Sequence, residues 1–237
     1  MSRSRILLGV GLAAIVVLAG GAWWLGFFDE PADEANVEDL AAAVQEQAEA
    51  DGTDTEAPLE SLDGVWTVTP VEGQTFIGYR INEVLNTIGN FTVVGRTADV
   101  TGTLEMSGTT ITAVSVVGDM TSITTDNSAR DSAMKSQALE TEQFPEATFE
   151  LVDPIELGSI PPEGTSVSAV AVGDLTIHGV TQRVEFPLDA QIQSGAVVAA
   201  GQLEVQLADY DINPPSARIV ASVEDVAILE LSLVFTR

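Results

Sequence analysis

Val180-Thr181-Gln182-Arg183-Val184-Glu185-Phe186-Pro187-Leu188-Asp189-Ala190-Gln191-Ile192 is the stretch that decides the fold. Val180, Gln182, Val184, Phe186, Leu188, Ala190 and Ile192 share one face, and Thr181, Arg183, Glu185, Pro187, Asp189 and Gln191 share the other. A period of two is the signature of a strand with one face on a core. Leu203, Val205 and Leu207 against Gln202, Glu204 and Gln206 repeat the pattern. Working outward, further strands are predicted over residues 65–69, 75–82, 88–95, 99–107, 110–124, 147–157, 166–177 and 223–236, in a region dominated by Val, Ile and Thr. Ser107-Gly108 and Ser194-Gly195 supply turns at hairpin spacing. Long alternating strands joined by short turns favour a closed antiparallel barrel, because closure removes exposed edges.

Residues 128–138 (SARDSAMKSQA) break the alternation and fit a helix, with Ser128 as N-cap and Asp131 three residues on. Phe144-Pro145 stops it. A short helix between two long strands is placed to cover one end of a barrel. Glu224-Asp225 is read as the start of the final strand.

Residues 6–28 carry no charged side chain. As a helix they would reach roughly 34 Å, enough for a bilayer core of about 30 Å. Arg3 and Arg5 precede the run, and Asp29, Glu30, Asp33 and Glu34 follow it, which orients the rest of the chain outside the membrane. Trp23, Trp24, Phe27 and Phe28 suit the outer headgroup layer. The expectation is therefore an uncleaved single-pass anchor over residues 1–28, with the barrel on the periplasmic or extracellular side. A cleaved secretory signal is the alternative, with small residues at Ala19, Gly20, Gly21 and Ala22. Both export the protein.

Residues 29–60 hold twelve Asp or Glu, no Lys or Arg and no aromatic residue. That composition reads as an acidic, flexible spacer, with helix-forming character from Val37 to Ala50. The domain then spans residues 61–237. A net charge of −27 argues against nucleic acid as a partner, and against charge-driven docking on anionic lipid. The absence of cysteine excludes a disulfide framework, thiol catalysis, Cys-ligated metal and a lipid-modified cysteine.

Enzymatic motifs are missing: there is no H-E-x-x-H, no G-x-S-x-G and no phosphate-binding glycine loop. His178, the single histidine, stands in Leu175-Thr176-Ile177-His178-Gly179-Val180-Thr181, which reads as a hairpin tip. It is either a ligand-contacting group or a turn residue bonded to backbone. Asp126 and Asp131 suit the positive end of the helix dipole, and Arg130 spoils a calcium loop at Asp126-x-Ser128-x-Arg130. No catalytic residue, metal ligand or cofactor is assigned. A barrel of about eight strands can hold one small ligand. The bulky candidates for lining such a cavity are Phe76, Tyr79, Phe91, Phe144, Phe149 and Phe186, with His178 beside them; each has core packing as its alternative.

Several pieces in order resemble the YceI family of lipocalin-like polyisoprenoid-binding proteins. They are Asp63-Gly64-Val65-Trp66, Gly89-Asn90-Phe91, Ile123-Thr124-Thr125-Asp126 with Arg130-Asp131, and Phe144-Pro145-Glu146-Ala147-Thr148-Phe149. Gly173-Asp174-Leu175-Thr176-Ile177-His178-Gly179-Val180-Thr181, Tyr210-Asp211-Ile212 and Val223-Glu224-Asp225-Val226 complete the set. The resemblance implies an eight-stranded antiparallel barrel crossed by a helix, holding an isoprenoid or other amphiphile without catalysis. It departs from the family at Val71-Glu72-Gly73-Gln74, where many members carry a His-Ser pair. The expected function is a membrane-tethered lipid-binding protein. The alternative is an envelope interaction module with a filled barrel. The sequence carries no signal for oligomeric state.

Overall fold

The computed structural model describes residues 31–52, 61–86, 89–215 and 220–237. The predicted anchor at residues 1–28 lies outside them. Among the described residues no helix is long and apolar enough to cross a membrane.

Twelve antiparallel strands make one sheet: β1 (Gly64–Val68), β2 (Phe76–Leu85), β3 (Gly89–Thr97), β4 (Val100–Ser107), β5 (Thr110–Asp119), β6 (Glu146–Leu151), β7 (Ile155–Glu156), β8 (Val167–Ile177), β9 (Val180–Gln193), β10 (Ala196–Gln206), β11 (Val220–Val223) and β12 (Val226–Thr236). Eight of them close a ring in the order β1, β4, β5, β6, β8, β9, β10, β12 and back to β1. The two ends of β12 take different neighbours. Phe235 and Thr236 pair with β1, while Ile228 to Ser232 pair with β2, which in turn pairs with β3. Beyond β3 the wall is continued by a bridge between Arg96 and Thr124. Closure satisfies the backbone groups that an open sheet would leave at its edges.

The opening stretch is strand β9 as predicted, with Phe186, Leu188, Ala190 and Ile192 turned to the interior. Its two halves differ. Residues 188–193 pair with β10, whereas 180–187 pair only with β8. Pro187 therefore sits where no second ladder asks for its missing N–H. The wall parts there, and a 3-10 turn (Leu207–Tyr210) fills the seam, with Gln182 Nε2 donating to the Asp209 carbonyl at 2.8 Å.

Three sequence-based boundaries move. The strand predicted over 147–157 is cut at Pro154 into β6 and β7, and the one over 110–124 leaves the sheet after Asp119. Glu224-Asp225 is the two-residue link between β11 and β12 rather than the start of the last strand. The short helix across the barrel, α2 (Ser128–Ala133, in chain order after α1, Val37–Asp51), runs on into a π-helical turn at Met134–Ala138. Its N-cap is Asn127, not Ser128: Asn127 Oδ1 accepts from the Ala129 and Arg130 amides at 2.9 and 3.2 Å. Asp131 reaches back instead to the Thr125 amide and hydroxyl, both at 2.7 Å.

The larger correction concerns the spacer. Within 29–60, residues Val37–Asp51 form helix α1, capped by Asn36 at its start and by Gly52 at φ 66° at its end. Val37, Leu40, Ala41 and Val44 are buried against Ala196, Val198, Ala200 and Val234, which lie on the outer face of β10 and β12. That outer face is apolar, so β10 is buried on both sides and reads as the continuous run Ala196-Val197-Val198-Ala199-Ala200. These fifteen residues belong to the folded unit that starts at Asp33.

Beside α1 the outer face of β2 and β12 is charged and buried. Glu230, 2 % exposed, takes Arg80 on one oxygen and Arg96 on the other, with Arg96 Nη2 at 2.8 Å. Arg96 crosses Gly78 to reach it, donates to the Asp33 carbonyl, and stacks 3.9 Å above the Phe76 ring. Inside the ring, two apolar clusters fill opposite ends. Trp66, Leu104, Leu233 and Phe235 belong to one, and Met134, Leu175, Tyr210 and Ala227 to the other, under α2.

Candidate functional site

The inward faces of the strands do not meet. They enclose a cavity of about 280 Å³, just under the usual range of roughly 300–1,000 Å³ for small-molecule sites. Its wall is overwhelmingly aliphatic, drawn from both apolar clusters: Leu104, Val116, Met134, Leu175, Val205 and Leu233 are representative.

Glycines help to keep this space open. The Tyr79 ring lies flat over Gly95, where an added Cβ would meet Tyr79 Cε1 at 2.4 Å. Phe149 lies in the same way over Gly173, with Cζ at 2.4 Å from such a Cβ. Any side chain at those positions drives a ring toward the lumen. Gly95→Ala is the cleaner probe, because its three nearest neighbours are all atoms of the Tyr79 ring rather than backbone. It is expected to lose about 1–3 kcal/mol of stability by overpacking and to weaken uptake of an apolar fluorescent probe. Urea unfolding and probe titration measure the two effects.

Arg130 and Glu83 bring charge to one end. Arg130 lines the cavity, with Nη2 2.8 Å from Glu83 Oε1 and Nη1 on Asp126. Its guanidinium stands 5.4 Å from the Phe91 ring centroid. Two carboxylates thus neutralise one cation, and the group as a whole is negative. Tyr79 Oη is 2.8 Å from Met134 Sδ, and burial pushes its phenol well above the ordinary tyrosine value. Tyr210, on the turn that fills the seam, also lines the cavity, and its hydroxyl is sealed away without a hydrogen-bond partner among the described residues.

Of the residues singled out in the sequence, Tyr79, Phe149 and Phe186 line the cavity, the two phenylalanines edge to face at 6.5 Å. Phe91 takes an inward register opposite Glu83 but serves as the platform of Arg130. Phe76 is on the outer face under Arg96, because β2 turns Ile77 and Tyr79 inward and Phe76 outward. Phe144 and His178 pack edge to face at 4.6 Å outside the lining, and Phe144 lies against Gly179. His178 is at φ 52° in the two-residue turn with Gly179 at φ 72°, the left-handed pair a tight hairpin requires. Its Nδ1 is 3.1 Å from the Tyr210 carbonyl and its Nε2 2.9 Å from Glu140. Glu140 is half exposed, so the pair is not the buried acid–base couple that an enzymatic reading needs. Sequence reasoning missed Arg130, Glu83 and Tyr210 as cavity groups. Arg130 and Tyr210 stand in the motif pieces that carry the family resemblance, but nothing in their spacing says which way they point.

Residues 66–235 match the YceI-like domain family. The chain belongs to the YceI family. Fifteen solved chains match this chain. A polyisoprenoid-binding domain from Saccharophagus degradans is 15 % identical over 72 % of this chain and 97 % of its own, with a TM-score of 0.55. Burkholderia cenocepacia BcnA is 16 % identical over 68 % and 95 %, with a TM-score of 0.51. At such identity the likeness concerns the fold alone. No curated protein matches the sequence. The matched residues carry the strand ring and the crossing helix, and α1, outside the match, packs on the barrel's outer wall.

Proposed function

We propose that this YceI-family chain is a membrane-tethered, extracytoplasmic binding protein that holds an isoprenoid or similar amphiphile in its barrel. The cavity carries the reading: a closed strand ring around an aliphatic interior is suited to an apolar tail and to little else. Removing that tail from water supplies about 25 cal/mol per Å² buried, before ordering costs. The Saccharophagus degradans neighbour is a polyisoprenoid-binding domain, which agrees with this occupant. A tightly filled barrel, which an interaction module would need, does not fit the open interior.

Charge narrows the ligand. Arg130 is already held by Glu83 and Asp126, in a chain of net charge −27. Among the described residues no free cation stands at this end to receive a phosphate, which favours a head without negative charge. The uncharged run at residues 6–28 supports the tether.

Full-length protein made in a bacterial host should sediment with membranes, and after extraction and delipidation should take up geranylgeraniol in native mass spectrometry. Recovery of an empty barrel that takes up neither geranylgeraniol nor any longer polyprenol would overturn the binding claim. Recovery from the soluble fraction would overturn the tether alone.

A further inference from the structure

We propose that Glu83 seats the ligand's head at the α2 end of the cavity, its Oε2 atom accepting a hydrogen bond from a hydroxyl, so that the barrel selects a head that donates. This role deepens the lipid-binding reading above and rests on it.

Strand β2 alternates along its length, turning Ile77, Tyr79, Ile81 and Glu83 to the cavity and Phe76 and Arg80 to the outer face. Glu83 thus puts a carboxylate, 6 % exposed, into an otherwise aliphatic wall, and Val223, its partner in β11, also belongs to the lining. One of its oxygens is used: Oε1 accepts from Arg130 Nη2 at 2.8 Å. Among the described residues Oε2 receives no hydrogen bond. The buried side-chain polar atoms that are both unpartnered and sealed from water are Ser194 Oγ and Tyr210 Oη. Glu83 Oε2 is not one of them, so it keeps surface that a small group can touch. A buried carboxylate oxygen without a donor is costly, and natural structures keep few. One that opens on a cavity has a donor to gain on binding.

Chemistry fixes the sign of the preference. A carboxylate accepts and a guanidinium donates, and neither does the reverse. Arg130 has both terminal nitrogens on carboxylates, Nη2 on Glu83 and Nη1 on Asp126, and its guanidinium stands over the Phe91 ring. The Arg130 amide donates to Asn127 Oδ1, which anchors the backbone that carries this side chain. The cation is therefore occupied, and it holds Glu83 in place. An acceptor fixed in this way lowers the ordering cost of binding. The charges acting on the Tyr79 phenol at this end are Arg130 against Glu83, Asp126 and Asp131, three carboxylates for one cation. A phosphate head is repelled there, and a hydroxyl bonded to a carboxylate gains charge assistance. An alcohol fits this seat; an ether or a quinone, which brings acceptors alone, does not.

Phytol and its methyl ether share one branched chain and one oxygen, and the alcohol alone has a proton to donate. On delipidated full-length protein, displacement of N-phenyl-1-naphthylamine should show phytol bound about tenfold more tightly than the ether, and the ether no more tightly than phytane. Glu83→Gln supplies a second arm. Arg130 can only donate, so the new amide must turn its oxygen to Arg130 and its NH2 to the cavity, where it meets an acceptor. In that variant phytol and the ether should bind within about twofold of each other, both more tightly than phytane. A full phytol preference retained by the variant would overturn the assignment while leaving lipid binding intact. So would an ether that matches phytol on the wild-type protein, a result that does not depend on the variant folding. Failure of phytol, ether and phytane alike to bind would remove the lipid-binding reading itself, and this assignment with it.

Discussion

Glu230→Ala is expected to destabilise the protein by about 3–5 kcal/mol, the largest loss from any single surface-distant charge in this fold. Glu230 is buried with Arg80 and Arg96 both on its carboxylate, and Arg80 is itself buried. Two charges within hydrogen-bonding distance in a low-dielectric site repay their desolvation only while the third is present. Removing the carboxylate leaves both guanidinium groups without that counter-charge beneath residues 33–36. Glu230→Gln, which keeps an acceptor of similar shape, should lose less. The urea midpoint of each variant, at unchanged m-value, measures the effect. A loss below about 1 kcal/mol for the alanine variant would mean that water reaches the cluster, as it does for ordinary surface pairs.

Leu40→Ala tests whether α1 is part of the domain. Leu40 is fully buried against the outer wall of β10 and β12, so truncation should cost about 2–5 kcal/mol of cooperative stability. It should also expose residues 31–52 to limited proteolysis, because the helix holds on by four apolar positions and has no basic residue in its last turn. A spacer that merely passed the barrel would show no change in Tm and would be cut equally fast in both proteins. The two variants touch neighbouring parts of one outer face, so their combination is expected to be less than additive.

Helix α1 also shows how a sequence signal is overlooked. Val37, Leu40, Ala41 and Val44 follow i, i+3, i+4, i+7, Asn36 is a good N-cap and Gly52 a good C-cap. All of these signals are local to the chain, yet twelve carboxylates in 32 residues argue for repulsion and disorder. Composition loses to pattern here because the acids of α1 all face water. Phe76 departs from the expected cavity lining for a different reason. A phenylalanine in an alternating strand looks like barrel interior, yet Phe76 is buried on the outer face, beneath the Arg96 guanidinium. His178 is read correctly as a hairpin tip, since the turn chemistry of His178-Gly179 is local. Its hold on Tyr210 joins residues 32 positions apart and has no local signal.

The sequence by itself determined what depends on near neighbours along the chain. The period-2 strands, the turns at Ser107-Gly108 and Ser194-Gly195, the crossing helix and the family all followed from it, because pleat, turn and cap are set within a few residues. Tertiary structure alone decided which apolar faces line a cavity and which fill a core. A strand presents Phe186 and Trp66 to the interior in the same way, and their fates differ only through what stands opposite. Strand register placed Gly95 under Tyr79 and Gly173 under Phe149, the parting of β9 from β10 left Tyr210 in the seam, and the outer face of β10 was left apolar for α1 to cover. Each of these is a distance between residues remote in sequence, and alternation along one strand carries no information about it.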